Sequence, residues 1–152
     1  MKLWLIASPK PILLAFTVRG HRPVRHGLDL PPDALEEWSR RNRLPGGQKR
    51  FKNAALAAIA VEMLESGCRR RGGELLDVVA FSSGLLAIVR VRSGSEWGLR
   101  DATRLLTTRA ARRRLGWPRD ESVFTRNVHW IELPDEPALA AAAERIRMFL
   151  GR

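Results

Sequence analysis

Residues 73 to 92 read GELLDVVAFSSGLLAIVRVR, two apolar runs, LLDVVAF (75–81) and LLAIVRVR (85–92), held apart only by Ser82-Ser83-Gly84. β-Branched and aromatic residues on both sides of so short a turn predict a β-hairpin. Successive side chains of a strand alternate faces, so Leu86, Ile88, Arg90 and Arg92 are expected on one side and Ala87, Val89 and Val91 on the other. On the facing strand the same alternation groups Leu75, Asp77, Val79 and Phe81, with Asp77 a structural anchor for Arg90 or Arg92. A buried cation without a partner is costly, so the arginine face has to meet solvent, an acid or a phosphate.

Working outward, FKNAALAAIAVEMLESG (51–67) predicts a helix that is apolar on nearly all faces and stopped by Gly67. A second helix, DATRLLTTRAARRRLG (101–116), carries Asp101 near its positive end, Arg112 to Arg114 at its negative end and Gly116 beyond. VHWIEL (128–133) reads as a strand. The terminal helix opens with Asp135-Glu136-Pro137, spaces Leu139, Ala142, Ile146, Phe149 and Leu150 helically, and stops at Gly151. Upstream, LWLIA (3–7) and ILLAFTV (12–18) flank SPKP and predict a hairpin; RGHRPVRHG (19–27) predicts a loop. LPPDALEEWSRRN (30–42) predicts a short helix capped by Asp33, with Glu36 and Glu37 at its positive end and Arg40 and Arg41 at its negative end, before LPGGQ breaks the chain. The expected organisation is an N-terminal hairpin-and-helix attachment over 1–47 on an α/β core over 48–152, together one compact domain. Its sheet is expected to be mixed and flanked by helices.

A chain of 152 residues can bury about 68% of its unfolded surface without a covalent staple. Lys and Arg number 27 against 16 Asp and Glu, a net charge of +11, and lysine occurs only at positions 2, 10, 49 and 52. Arginine forks match phosphate oxygens, so the expected partner is a polyanion. Cys68 is the single cysteine, which excludes an internal disulfide and a cysteine-based zinc cluster and leads us to expect a cytoplasmic location. MKLWLIASPKPILLAF is broken by Pro9 and Pro11 and falls short of the ~20 apolar residues of a membrane helix. Structure rather than a targeting segment is expected there.

The order helix, G-E-x-x-D-V-V-A-F, turn, a strand charged at alternate positions, then an arginine-rich helix resembles the restriction-endonuclease-like, or PD-(D/E)XK, superfamily over about residues 48 to 133. Within it the chain looks closest to the small archaeal Holliday-junction resolvases and a related family of small bacterial nuclease-like proteins. The resemblance implies a restriction-endonuclease-like core and gives Asp77 the place of the metal-binding aspartate, with Glu74 three residues earlier. The departures from the pattern are chemical. Where the family carries Glu-x-Lys this chain reads Arg90-Val91-Arg92, and a guanidinium has no acceptor to offer Mg²⁺. Where the family often places a glutamate early in the preceding helix, Asn53 stands. The chain also resembles the catalytic-type domain of archaeal tRNA-splicing endonucleases. It lacks their tyrosine altogether and keeps only His129 in the core, which leaves the role of a non-catalytic subunit.

The expected function is therefore nucleic-acid binding through the backbone by a catalytically degenerate relative of these nucleases, with DNA ahead of RNA and no cofactor. Phosphate contacts are expected from Arg90, Arg92, Arg109, Arg112, Arg113 and Arg114, with Arg69, Arg70 and Arg71 behind them, all flanking one sheet edge. Two alternatives stand beside this. One is a Mg²⁺-dependent endonuclease with Asp77 and Glu74 as ligands, Glu62 or Glu65 moved into the site and Arg92 in the lysine's role. The other is a structural subunit of a larger nuclease or RNA-processing assembly that docks through its N-terminal hairpin, while the resemblance to resolvases implies a homodimer. Trp97, Trp117 and Trp130 can stack unpaired bases or fill a core. His21 and His26 have no acidic or cysteine neighbour with which to hold a metal.

Overall fold

The structure, a computed structural model, describes residues 10–19, 30–31, 34, 37–38, 41, 54–81, 83–92, 94–126 and 128–150. The hairpin forms as expected, with strands β2 (Glu74–Phe81) and β3 (Gly84–Val91) antiparallel to each other. β3 is buried at every position but Arg90, so its near-continuous apolar run reflects cover on both faces. Strand β1 (Lys10–Thr17) pairs with the far side of β3 from Lys10↔Val91 to Thr17↔Gly84. Strand β4 (His129–Glu132) pairs with β1, giving the order β2-β3-β1-β4.

Every neighbouring pair in this sheet is antiparallel, which corrects the expected mixed sheet. Helices α1 (Ala54–Arg70) and α2 (Glu96–Leu115) join β1 to β2 and β3 to β4. Each connects strands that run parallel but have one strand between them, so no parallel neighbours arise. This β-α-β-β-α-β connectivity is the split-βαβ, or ferredoxin-like, arrangement. It also corrects the place of the N-terminal segment. Residues 10–17 are no attachment; they are an interior strand on which both β3 and β4 are built. The first half of the expected N-terminal hairpin lies outside the described residues, as do His21, His26, Asp33, Arg40 and Gly151.

Alternation on the interior strands sorts the core into two layers. Ile12, Leu14, Phe16, Val18, Leu85, Ala87, Val89 and Val91 face Leu56, Ala60, Leu64 and Cys68 of α1 and Leu99 and Ala111 of α2. Leu13, Ala15, Leu86, Ile88, Val79 and Phe81 face the C-terminal helix α3 (Glu136–Leu150), which contributes Ile146, Leu139 and Ala142. Trp38, itself helical, joins this second layer.

Two helix ends depart from expectation. α1 does not stop at Gly67. A Cβ there would lie 3.0 Å from Leu99 Cδ1, so this glycine permits close packing of α1 on α2, and the chain turns instead at Gly72 with φ 67°. α2 begins before Asp101, where the Glu96 carboxylate accepts the Gly94 N–H at 2.8 Å. Its C-terminus is as expected: Gly116 has φ 69°, its N–H donates to the Arg112 carbonyl at 3.2 Å and the Trp117 N–H donates to that of Ala111 at 3.3 Å.

Cys68 is fully buried, and burial pushes its thiol up to about 11 from an ordinary 9.0. A folded value above the unfolded one keeps its contribution to stability intact below pH 9 and loses it as the pH rises through 11. The chain has no tyrosine to titrate in that window. We expect the native thiol to resist a disulfide reagent at pH 8, and the urea midpoint to fall between pH 9 and 11 by more in the wild type than in Cys68→Ala. Rapid native labelling would contradict the packing.

Candidate nucleic-acid interface

The register of the hairpin decides what its charges can do. Glu74 is opposite Arg90 and Leu75 opposite Val89, but the next pair is Asp77↔Ile88, because a bulge inserts Leu76 as an extra residue. Asp77 therefore shares a face with Val79 and Phe81 but not with Leu75, which packs on the α1 side. The expected Asp77 to arginine anchor gives way to Glu74, whose Oε1 lies 3.3 Å from Arg90 Nη1. Asp77 makes no ion pair with a described residue. Arg90 lines a cleft with Pro11, Leu133, Pro134, Asp135, Glu136 and Leu139, where two carboxylates accompany one cation. Arg92 lies past the end of β3 beside Gly72, its guanidinium 3.8 Å from where a Cβ would stand. Arg90 and Arg92 are thus split between different surroundings.

The carboxylates of the nuclease alternative are divided by the sheet. Asp77 and Glu74 belong to the face that packs on α3, whereas α1, with Glu62 and Glu65, packs on the other. Glu62 accepts from both Nη atoms of Arg114, at 2.7 and 3.3 Å. That bonding holds its carboxyl below the usual carboxylate range and raises Arg114 in return. Glu65 is 3.5 Å from Arg69. Among the described residues no three His, Cys, Asp or Glu side chains converge as a metal site, and these four acids do not fit the ligand set that Mg²⁺ would need.

The basic clusters do not flank one edge either. Gly67 near the end of α1 abuts Leu99 and Thr103 near the start of α2, and Glu62 reaches Arg114 at its end, so the helices run antiparallel. Arg69, Arg70 and Arg71 then sit roughly 20 Å from Arg112, Arg113 and Arg114 at ~1.5 Å per residue along α2. Two cations serve as braces. Arg71 donates to the carbonyls of Gly67 and Gly98, each at 3.1 Å, and Arg112 donates to those of Pro118, Arg119 and Glu121.

What Arg112 braces is the candidate site. After Gly116 the chain folds back over the last turn of α2, and Trp117 Nε1 donates to Glu121 O at 3.1 Å. A shallow cleft results, lined by Arg109, Arg112, Arg113, Gly116, Trp117, Pro118 and Arg119. Four guanidiniums and no carboxylate form its wall. Arg109 and Arg113 are one helical turn apart, and they and Arg119 are exposed without an ion pair to a described residue. Arg119 was not among the expected contacts; its signal was its place just after the helix stop, in Gly116-Trp117-Pro118-Arg119, where a turn returns it to the helix end.

Modules of this topology that bind single-stranded RNA use an open sheet face. Here α3 packs on that face. No protein-family model and no curated protein sequence matches this chain.

Proposed function

We propose that the protein binds nucleic acid through the phosphate backbone, using the arginine cleft at the C-terminal end of α2, and does not cut it. The observation that carries this reading is the lining of that cleft, Arg109, Arg112, Arg113 and Arg119 without an acid among them, in a chain of net charge +11. Arg112 is already held by three carbonyls and sets the geometry; Arg109, Arg113 and Arg119 have guanidinium donors to offer. Each phosphate they neutralise releases counterions, so affinity falls with salt by about 0.9 in log–log slope per contact. Arg90, beside Glu74, Asp135 and Glu136, is expected to contribute little.

The test is a salt titration of affinity for a duplex and a single-stranded 20-mer of DNA and a single-stranded RNA. Arg109→Ala/Arg113→Ala/Arg119→Ala should lower the slope by about two to three and weaken binding by at least about tenfold, on the same per-phosphate estimate. Arg90→Ala should stay within about twofold of wild type. An unchanged slope in the triple variant would move the contact elsewhere. Cleavage in Mg²⁺ that disappears in Asp77→Ala would overturn the non-cutting part and restore the endonuclease.

A further inference from the structure

Trp97, on the first turn of α2, is 55% exposed but not solitary. Its ring lies 4.6 Å from that of Trp130, edge to face, and the Arg100 guanidinium stands 4.2 Å from its centroid. Beside this stack, Arg100 and Arg104 share one carboxylate, Asp101, at 3.3 and 3.5 Å, with side chains only 20% and 16% exposed. Arg104 also donates to Thr125 O at 3.0 Å, which places it beside Arg126. Burial most of all, and the like charges of Arg100 and Arg126, weaken the hold of Arg104 on its proton, while Asp101 strengthens it.

Two half-buried cations with one carboxylate, next to a third cation, leave positive charge in excess beside an open indole. A single exposed tryptophan needs no special explanation. Here, though, the indole touches a second ring and a guanidinium while more than half of it stays exposed, and such a cluster adds an aromatic surface to an anion-attracting one. Every base has a π-face, but a duplex hides it within the stack.

We infer that Trp97, braced by Trp130, stacks on an unpaired base while Arg100, Arg104 and Arg126 attract the adjoining phosphate, so that the protein prefers single strands to duplex. This preference rests on the nucleic-acid reading above and adds a second contact to it. Arg109 lies about 18 Å further along α2, at ~1.5 Å per residue.

The experiment compares wild type, Trp97→Ala and Trp97→Phe on a single-stranded 20-mer, its duplex and a 20-mer of abasic sites, which has the phosphates and no bases. Trp97→Ala should weaken single-strand binding about tenfold, in keeping with the loss of one base–aromatic stack, and leave duplex binding within twofold. Trp97→Phe should restore most of the loss, and wild type should bind the abasic strand as weakly as Trp97→Ala binds the ordinary one. Equal losses on single strand and duplex, or none on either, would overturn the stacking contact while leaving backbone binding in place. Wild type that binds none of the three would sink both proposals, and unchanged circular dichroism of the variants separates these outcomes from misfolding.

Discussion

Gly73→Ala is expected to destabilise the protein by about 3 kcal/mol, the upper range for overpacking, although it adds one methyl group. A Cβ at this position would lie 2.1 Å from the Arg90 carbonyl oxygen and 2.9 Å from Val91 Cγ1. The oxygen is main chain and cannot rotate aside. Relief requires moving the start of β2 away from β3, which breaks the ladder at Glu74↔Arg90 and with it the ion pair that occupies Arg90. Gly94→Ala is the control. Its φ of 93° strains any side chain, but nothing lies within 4 Å of the added carbon, so only the conformational cost of about 1 kcal/mol applies. Urea denaturation of both variants measures the difference. Equal midpoints would mean that the close approach of residue 73 to β3 does not exist.

Phe16→Ala should cost about 4 kcal/mol, within the range for truncating a buried phenylalanine and a large part of the ~5–15 kcal/mol that holds a domain together. Phe16 is fully buried in an interior strand, its ring 5.2 Å from that of Phe124. The contact ties β1 to the segment before β4, which the main chain also fastens through Arg19 N to Val123 O at 2.9 Å and Thr125 N to Thr17 O at 2.9 Å. Thr125 in turn accepts from Arg104, so the cavity should loosen the Trp97 surface as well as the core. A loss below about 1 kcal/mol would show that the surroundings collapse to fill the space, contrary to a site bounded by Leu85 across the sheet and the Phe124 ring.

Local chemistry made much of the secondary structure legible. Valine, isoleucine and phenylalanine around Ser83 and Gly84 specify the β2–β3 hairpin, and Gly116 after three arginines marks the end of α2. Where local signals failed, a distant residue had changed their meaning. Gly67 resembles a helix stop, yet what it answers to is Leu99, 32 residues later in the chain. ILLAFTV reads as half of a local hairpin, but no periodicity within it reveals that β3 and β4 will pair on its two sides. Leu76 carries no sign that it will be the extra residue of a bulge.

The candidate sites divide along the same line. The expectation of a polyanionic partner follows from 27 basic against 16 acidic residues, because excess charge acts at long range and does not depend on the fold. Which arginines are available depends on contacts made within a few ångströms. Glu62 takes Arg114, Glu65 lies beside Arg69, Glu74 takes Arg90 and backbone carbonyls take Arg71 and Arg112. The sequence by itself determined most of the described elements, their order and the excess of positive charge, since propensity and net charge are properties of neighbouring residues and of composition. Only the tertiary structure decided that the sheet is antiparallel, that Asp77 is parted from Glu62 and Glu65, and that Arg109, Arg113 and Arg119 meet, because strand register and cross-chain packing bring together residues whose separation in sequence carries no trace of their contact.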